Sequence, residues 1–516
     1  MKAHKNLRIF SILFILVLVV VLSCTLVACG DNSDDKTQDG TDEVEQSISL
    51  EYEPNYKKVG SYNVIDGTYS LVGYSGYAEH VTIPSHYNNQ KVTKIAQDAF
   101  KGLDGLKSVI IPESIIEIGS SAFEDCGKLT KISGPADMVA IVAKQAQPAS
   151  FVIDITSRTT IDKYAFSGCE GLTGVTIPDC VQSIDRLAFI GCVSLESITV
   201  SDNNPTYSSI DGLLYNKAKT TLVLAPEGIG DTITIPDYVK EIGNYAFSNC
   251  KKLTNIVIPD GVENIGLYAF YECINLTSID IPDSVTTIGS IAFYNTAWYN
   301  SQPDGIVYAG KVAYDYKGTM PANASISIKE GTLGISNGAF RDCSELVSVT
   351  IPASIINIGL FPFAGCANLS NITVEKNNVK YYSAGNCIIE TDSKKLVLGC
   401  KNSVIPQDGS VAIIGDYAFA KCMGLTSITI PDGVTSIETY AFDSCEDLES
   451  VTIPSSVKNI GKEAFSYCIQ LVTISYDGTK SQWGCIDKYY GVYDWNYKIS
   501  SSCVIICTDG TIDIAA

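Results

Sequence analysis

A chain of 516 residues with 46% hydrophobic residues is too apolar to be largely disordered, and its length alone would suggest about three domains. Its 36 basic and 57 acidic residues give a formal net charge of −21, which repels the phosphate backbone of nucleic acids. We therefore expect no nucleic-acid partner. The same negative charge disfavours broad contact with an anionic membrane surface.

The first 28 residues have the pattern of an export signal. Three basic residues precede an apolar run over residues 9–22, which is too short for a comfortable transmembrane span. The run leads to the sequence LVACG at residues 26–30, which resembles a bacterial lipobox. The resemblance implies that the signal, residues 1–28, is cut before Cys29 and that the Cys29 thiol carries diacylglycerol. An uncleaved anchor, or a conventional signal with an incidental cysteine, is the alternative.

Residues 29–47 are rich in Asp, Ser, Thr and Gly and have no apolar periodicity. Such a segment cannot bury enough apolar surface to fold, so it is predicted to be a flexible acidic tether. No later segment is long and apolar enough to span a bilayer. We therefore expect an exported protein, lipid-anchored at the bacterial cell surface, with the lipid on Cys29 as its only membrane contact.

Residues 48–474 repeat one cassette with a fixed step. One copy reads ITIPDGVTSIETYAFDSC from Ile428 to Cys445, and the next reads VTIPSSVKNIGKEAFSYC from Val451 to Cys468. A constant step within the range of about 20–50 residues is typical of stacked structural units rather than of a compact globule. The spacing therefore predicts a repeat solenoid, which grows by adding coils.

The pair Ala-Phe marks each copy and shows where the repeat is regular. Seven of the eleven gaps between these phenylalanines equal the step from Phe442 to Phe465. The four longer gaps indicate diverged coils or insertions. The signature residues are Phe100, Phe123, Phe166, Phe189, Phe247, Phe270, Phe293, Phe340, Phe363 (after Pro instead of Ala), Phe419, Phe442 and Phe465.

Each cassette predicts one coil with two inward-facing apolar stretches. A short alternating stretch such as Val349-Thr350-Ile351 directs its apolar residues inward and its threonine outward. The proline that follows ends the strand, because it cannot donate a backbone hydrogen bond. Val-x-x-Ile then turns two more apolar residues inward.

A glycine usually follows Val-x-x-Ile, and we expect the chain to turn there with a positive φ. Asp185 and Glu438 replace it in two coils, so the predicted turn does not depend strictly on glycine. The glycines at this position are Gly119, Gly243, Gly266, Gly289, Gly359 and Gly461.

The cassette resembles that of the BspA-like leucine-rich-repeat surface proteins of bacteria. The resemblance rests on the twelve Ala-Phe or Pro-Phe copies and covers the chain from about residue 48 to the C-terminus. It implies a solenoid of leucine-rich-repeat-like coils of about 23 residues with a parallel β-sheet on one face. Attachment to host matrix proteins, other cells or biofilm is the role that the resemblance implies.

Three insertions and the C-terminal segment depart from the cassette. The segments near residues 203–226, 304–318 and 377–400 each predict a hairpin that projects from the solenoid, either to seal an irregular coil or to bind a partner. Residues 475–516 concentrate aromatic side chains and predict a C-terminal cap. Exposed aromatic residues there, Trp483 and Trp495, could instead stack on sugar rings.

Ten cysteines occupy one position, three residues after the signature phenylalanine, and Leu103 and Thr296 take this position in the other two coils. Since leucine can replace cysteine, we expect a buried free thiol that acts as an apolar filler. Cys387 and Cys400 differ, because they flank one hairpin and the related hairpin has no cysteine there. A cross-strand disulfide between these two is an alternative to two free thiols.

Few residues could carry catalysis. Behind the predicted signal the chain retains only His80 and His86, and H-E-x-x-H does not occur. We therefore expect neither an enzyme nor a metal or cofactor site.

Threonine recurs at the outward strand positions and forms a candidate binding face. A row of threonines on a flat sheet can bind proteins or glycans, although threonine is also favoured in any half-exposed strand. We expect a monomeric cell-surface binding or adhesion protein that presents this face to proteins or glycans of host or neighbouring cells. The alternative is a carbohydrate-capturing surface lipoprotein for nutrient uptake. The candidate face consists of Thr176, Thr199, Thr234, Thr350, Thr373, Thr429 and Thr452.

Overall fold

A computed structural model describes residues 49–59, 62–75, 77–112, 114–133, 150–152, 159–490 and 493–514. The predicted signal, the lipidation residue Cys29 and the predicted tether lie outside these described residues.

Two kinds of short strand recur along the chain. The first kind, which we call threonine-face strands, leads into the Ile-Pro position or its equivalent. These strands are His80–Thr82, Ser108–Ile110, Lys131–Ser133, Ser150–Val152, Gly174–Ile177, Ser197–Val200, Thr232–Thr234, Asn255–Val257, Ser278–Asp280, Ala324–Ser327, Leu346–Ile351, Asn371–Val374, Ser427–Thr429, Ser450–Ile453, Thr473–Tyr476 and Val504–Cys507.

The second kind, the Val-x-x-Ile strands, follows the proline. These strands are Gln90–Ile95, Glu117–Ile118, Thr159–Ile161, Val181–Ile184, Glu241–Ile242, Asn264–Ile265, Thr287–Ile288, Gly334–Ile335, Asn357–Ile358, Ile413–Ile414, Ser436–Ile437, Asn459–Ile460 and Asp487–Lys488.

Equivalent strands of successive coils pair in parallel, each with its partner one repeat further along the chain. Thr176 lies opposite Thr199 in one pair of threonine-face strands. Among the Val-x-x-Ile strands, Ile242 lies opposite Ile265, which lies opposite Ile288. The predicted repeat solenoid, with coils of about 23 residues and parallel sheets, is therefore confirmed. The described residues contain only two short helices, Ala297–Asn300 and Lys480–Gly484.

The signature phenylalanines form parallel ring stacks inside the solenoid. Ring centroids of neighbouring coils lie 5.0–5.5 Å apart with interplanar angles of 2–9°. The backbone is bonded along the same line, since the N–H of Phe442 donates to the carbonyl of Ala464 at 2.8 Å. Each coil therefore covers the apolar interior of the next, and a single coil could not bury its own face.

The Ala-Phe pair sits between two residues with left-handed backbone. In one coil Tyr268 (φ 55°) precedes Phe270 by two residues and Glu272 (φ 60°) follows it by two. Residues other than glycine rarely adopt this backbone conformation, because it costs them of order 1 kcal/mol or more. The inter-coil hydrogen bonds and the ring stack hold this strained corner, which leaves the Tyr268 side chain partly exposed at the surface.

The glycine after Val-x-x-Ile has a different role from the predicted one. None of the six has a positive φ. Instead, this glycine touches the preceding coil: a Cβ added at Gly461 would lie 2.6 Å from the backbone nitrogen of Thr439, and one at Gly119 would lie 2.7 Å from that of Gln97. The expected turn is therefore wrong, and the close approach of two backbones is the physical reason for glycine.

The inserted segments form hairpins, but their strands lie within the coil stack. The first and third insertions contain three strands each, and the second contains two. The strands are Tyr207–Ile210, Leu213–Asn216 and Thr221–Leu224, then Gly305–Ala309 and Val312–Lys317, and then Tyr381–Ala384, Cys387–Glu390 and Lys395–Leu398.

Each insertion joins two segments of the apolar core. Leu214 packs into the core on the N-terminal side of the first insertion, whereas Leu213 and Tyr215 pack into the core on its C-terminal side. In the second insertion Tyr314 packs into the core segment on the N-terminal side, whereas Ala313 packs into the one on the C-terminal side. The predicted projection is therefore wrong, because both faces of these strands are needed to close the ends of adjoining segments.

Side chains replace missing backbone acceptors where the regular coil is interrupted. In a regular coil the N–H two residues after the signature phenylalanine donates to the next coil's backbone, as Gly168 does to the Ile190 carbonyl at 2.8 Å. At the first insertion the N–H of Gly191 donates to Glu227 Oε1 at 2.8 Å instead. At the second insertion the affected donor is the N–H of the phenylalanine itself. In a regular coil it donates to the alanine carbonyl of the next coil, whereas the N–H of Phe293 donates to the Tyr314 hydroxyl at 2.9 Å.

Burial raises the pKa of Glu227 to about 7, although the Gly191 N–H and the positive charge of Lys251 act in the opposite direction. The folded protein thus favours the protonated carboxyl more than the unfolded chain does.

The ends of the solenoid are closed by antiparallel strands. Ser49–Val59 pairs with Tyr62–Ser75, and the latter continues in parallel into Gln90–Ile95, which also pairs with the short strand His86–Tyr87. At the other end Gly510–Asp513 pairs antiparallel with Val504–Cys507.

We predict that Gly461→Ala destabilises the protein by about 1–3 kcal/mol, because the added methyl would collide with the backbone of the preceding coil. Urea unfolding followed by circular dichroism measures the change. Gly230→Ala is the matched control, since a Cβ at Gly230 meets no atom within 4 Å. Equal unfolding midpoints for the two variants would contradict the close-approach explanation.

We predict that Glu227→Gln stabilises the protein more at pH 7.5 than at pH 4.5. The unfolded carboxyl loses its proton near its ordinary pKa of 4.5, whereas the folded one keeps it to about 7. The folding stability that this group contributes therefore falls as the pH rises through that window. Glutamine keeps an acceptor for the Gly191 N–H and removes the titration.

Thermal unfolding midpoints at both pH values test this prediction, with Glu330→Gln at an exposed position as the control. A gain for Glu227→Gln of the same size at both pH values would show that Glu227 titrates alike in the folded and unfolded chains.

Candidate functional site

The predicted threonine face lies on the outside of the parallel sheets, in separate groups. Thr176 pairs with Thr199, Thr350 with Thr373, and Thr429 with Thr452. Of the seven residues, Thr199, Thr234, Thr373 and Thr429 are exposed, and Thr176, Thr350 and Thr452 are partly buried.

These groups do not form one uninterrupted row. Thr234 lies opposite Val257, which lies opposite Asp280, so hydroxyls do not line this part of the face. The pairing also places the three threonine pairs in three different sheets. The surface offers several short rows of hydroxyls, and their binding role stays a prediction.

Trp483 and Trp495 lie in the core of the C-terminal segment. Their relative exposures are 5% and 3%. Their rings contact each other edge to face at 5.9 Å, and Trp495 covers Phe465, the last ring of a phenylalanine stack, at 6.1 Å. Neither indole has a free face for a sugar, so the sugar-stacking hypothesis is wrong for these two residues. They close the end of the apolar interior.

The cassette cysteines are free thiols, and most of them also donate a hydrogen bond to a backbone carbonyl. Cys445 Sγ donates to the Phe419 carbonyl at 3.0 Å, and Cys273 Sγ donates to that of Phe247 at 2.9 Å. Burial raises the pKa of the Cys126 and Cys273 thiols to about 12, so both stay protonated at neutral pH. The predicted apolar filler is thus also a link between coils.

Cys387 and Cys400 are both buried free thiols, and no disulfide joins them. Cys387 Sγ is directed to the carbonyl of Gly385 at 3.6 Å, and Cys400 Sγ to that of Asn386 at 3.8 Å. Each thiol thus faces a backbone acceptor of the same hairpin in place of the other sulfur.

The sequence did not lead us to expect two stacked pairs of tyrosines near the surface. Tyr245 stacks on Tyr268 at 4.8 Å, and Tyr417 stacks on Tyr440 at 4.9 Å. All four occupy the left-handed position two residues before the signature phenylalanine. The signal was present in the sequence, because tyrosine recurs at this place, but its outward direction follows only from the backbone conformation.

A second set of aromatic residues leads to a cleft at the second insertion. Tyr271 and Tyr294 directly follow signature phenylalanines, and their rings stack at 5.4 Å. Tyr294 is 51% exposed and lines a cleft of about 190 Å³. The other lining residues are Ser290, Ile291, Tyr299, Tyr314, Asp315, Asn337, Gly338, Arg341 and Asp342. We call this space the insertion cleft.

The polar groups of the insertion cleft are held in place by hydrogen bonds. Tyr299 donates its hydroxyl to Asp315 Oδ2 at 2.5 Å, and the N–H of Tyr316 donates to Asp315 Oδ1 at 2.9 Å. Burial raises the pKa of Asp315, while the hydrogen bond from Tyr299 acts against the shift. Arg341 Nε lies 3.3 Å from a carboxylate oxygen of Asp342 at the rim.

The structure offers no support for a metal site or a membrane span in the part that it describes. Within those residues no group of three or more His, Cys, Asp or Glu side chains is placed to hold a metal ion. Neither of the two short helices has the length and apolar character that a bilayer crossing requires.

Comparisons with solved structures find several similar proteins. A leucine-rich cell surface protein from Faecalibacterium prausnitzii is 27% identical, with 85% of this chain and 99% of that chain covered and a TM-score of 0.32. A leucine-rich repeat protein from Bacteroides ovatus is 23% identical, with 88% and 98% covered and a TM-score of 0.31. The pneumococcal vaccine antigen PcpA is 18% identical, with 88% of both chains covered and a TM-score of 0.35.

The comparison with curated proteins found no match. The family model for the BspA type leucine rich repeat region (6 copies) matches residues 72–156, 144–211, 230–304, 313–391 and 393–485. These matches span well over half of the chain and follow the coils described above. The protein therefore belongs to the BspA-type leucine-rich-repeat family.

Proposed function

We propose that this protein is an exported, lipid-anchored cell-surface binding protein, which attaches to proteins or glycans of host or neighbouring cells. Proteins of the BspA-type leucine-rich-repeat family are typically found at the cell surface, and their solenoids typically serve as non-enzymatic binding scaffolds. Diacylated Cys29 is its membrane contact, and it acts as a monomer.

The exposed sheet face is the observation that carries this proposal. The in-register pairs Thr176–Thr199, Thr350–Thr373 and Thr429–Thr452 present hydroxyl groups at the strand spacing of about 4.8 Å. A rigid, extended and polar surface suits a broad partner, and many anchored copies on one cell add avidity to weak contacts.

Carbohydrate capture for nutrient uptake is the second candidate function. The insertion cleft favours it, because exposed Tyr294 and the polar groups of Asp315 and Arg341 line a concave space. The buried tryptophans do not support it.

The test is an array of host matrix proteins and of host and bacterial glycans, probed with cells that display the full chain. We expect saturable binding by these cells. We also expect Cys29→Ser to carry no diacylglycerol, because a serine cannot accept the thioether-linked lipid. Intact-mass analysis of the membrane fraction should then find a diacylated N-terminal Cys29 in the wild type alone.

Binding to matrix proteins supports the adhesion role, and binding confined to glycans supports carbohydrate capture. Cells that bind no array component, with the protein shown to be on their surface, would contradict both functions. A wild-type mature chain that starts elsewhere, or that has an unmodified Cys29 thiol, would contradict the lipid anchor.

A further inference from the structure

We propose that the insertion cleft is a glycan-binding site, which takes one pyranose residue on the Tyr294 ring and between the Asp315 and Arg341 side chains. This inference rests on the proposed function and deepens it, since it names a ligand class and a site for the cell-surface protein.

The cleft exists because one coil is replaced by a hairpin. Tyr294 and Arg341 occupy the same cassette position, directly after Phe293 and Phe340, in the coils on either side of the second insertion. In regular parts of the solenoid such residues belong to adjacent coils. Here the hairpin of Gly305–Ala309 and Val312–Lys317 intervenes, and the space in front of it stays open between the two side chains.

Tyr294 provides an aromatic surface of fixed position. Tyr271 stacks against it with an interplanar angle of 12°, yet half of Tyr294 is accessible. A tyrosine that is supported by a neighbouring ring and still exposed offers its apolar face at a low entropic cost. The C–H face of a pyranose is the ligand surface that matches it.

Asp315 and Arg341 supply complementary polar groups. Each Asp315 oxygen already accepts one hydrogen bond, from Tyr299 or Tyr316, which orients the carboxylate. A carboxylate accepts about four hydrogen bonds in all, so each oxygen keeps capacity for a ligand hydroxyl. Arg341 uses Nε toward Asp342 and retains further N–H donors. Neighbouring sugar hydroxyls both donate and accept, as these two groups require.

The charges in the cleft favour a neutral polyol over an anionic ligand. The carboxylates of Asp315 and Asp342 oppose a phosphate or a sulfate, and the Arg341 guanidinium is already paired with Asp342. The hydrogen-bonding groups suit a ligand that is rich in hydroxyls and has no net charge.

The size of the cleft limits the ligand to about one ring. Its volume of about 190 Å³ lies below the roughly 300–1,000 Å³ of pockets that enclose drug-sized ligands. The corresponding spaces at the first and third insertions measure only about 20 Å³ and 10 Å³. A more open cleft of about 490 Å³, lined in part by Asp185, Arg186 and Tyr245, lies beside the small space at the first insertion.

Saturation-transfer NMR of the full chain with methyl glycosides of glucose, galactose, mannose and N-acetylglucosamine tests the site. We expect transfer to the ring protons of at least one glycoside. Tyr294→Ala should weaken its binding at least tenfold and Arg341→Ala about fivefold. Tyr490→Ala is the matched control, because Tyr490 is an exposed tyrosine of the C-terminal segment (68%) and should leave binding unchanged.

Tyr294 and Arg341 are both largely exposed, so their variants should fold, and equal thermal unfolding midpoints verify this. Two results would overturn the inference: no transfer to any of the four glycosides, or undiminished binding by a folded Tyr294→Ala variant. Array binding to matrix proteins would uphold the proposed function even then, so the two failures are distinguishable.

Discussion

The spacing between coils is the constraint on which the rest of the structure depends. Parallel strands must lie about 4.8 Å apart to share hydrogen bonds. The phenylalanine rings, at 5.0–5.5 Å, follow the same spacing. The backbone hydrogen bonds of the Ala-Phe pair follow it too. Most cassette cysteines also bridge two coils, since the thiol donates to the phenylalanine carbonyl of the preceding coil, as Cys468 does to Phe442 at 3.2 Å.

Coils stacked this closely leave little tolerance for irregularity, and the insertions show how it is accommodated. Where a coil is absent, strands with both faces buried close the adjoining core segments. Glu227 and Tyr314 then supply the acceptors that backbone carbonyls supply elsewhere. The N–H groups of Gly191 and Phe293 thus stay hydrogen-bonded, while the surface gains a concavity. The insertion cleft follows from this arrangement, because a uniform stack of coils leaves no such gap between the side chains of neighbouring coils.

The periodic features of the fold could be predicted from the sequence because they repeat. The Phe, Cys and Val-x-x-Ile positions recur with one step, so their inward direction follows from the pattern alone. The role of Gly461 could not be deduced in this way, because its requirement lies in the distance to Thr439 of another coil. Leu213-Leu214-Tyr215 carried a signal for burial on both faces, a continuous apolar run, but the surrounding polar turns favoured a projecting hairpin.

The candidate site was less predictable than the fold. Tryptophan is typical of sites that stack on sugar rings, so the sequence alone allowed that role for Trp483 and Trp495. Only the packing of Trp495 against Phe465, and of Trp483 against Trp495, shows that both are interior. Tyr294, Asp315 and Arg341 belong to separate segments, and the second insertion brings them together. No motif or spacing in the sequence indicates that these three side chains line one cleft.

The central claim is that each coil is stabilised by its neighbours within one core segment. Hydrogen exchange of the full chain, compared between the wild type and Phe442→Leu, tests it most directly. The account predicts faster amide exchange in the coils of Phe419 and Phe465 as well as in that of Phe442, and unchanged exchange in the coils of Phe100 to Phe189. Faster exchange confined to the altered coil, or spread evenly over the whole chain, would contradict it.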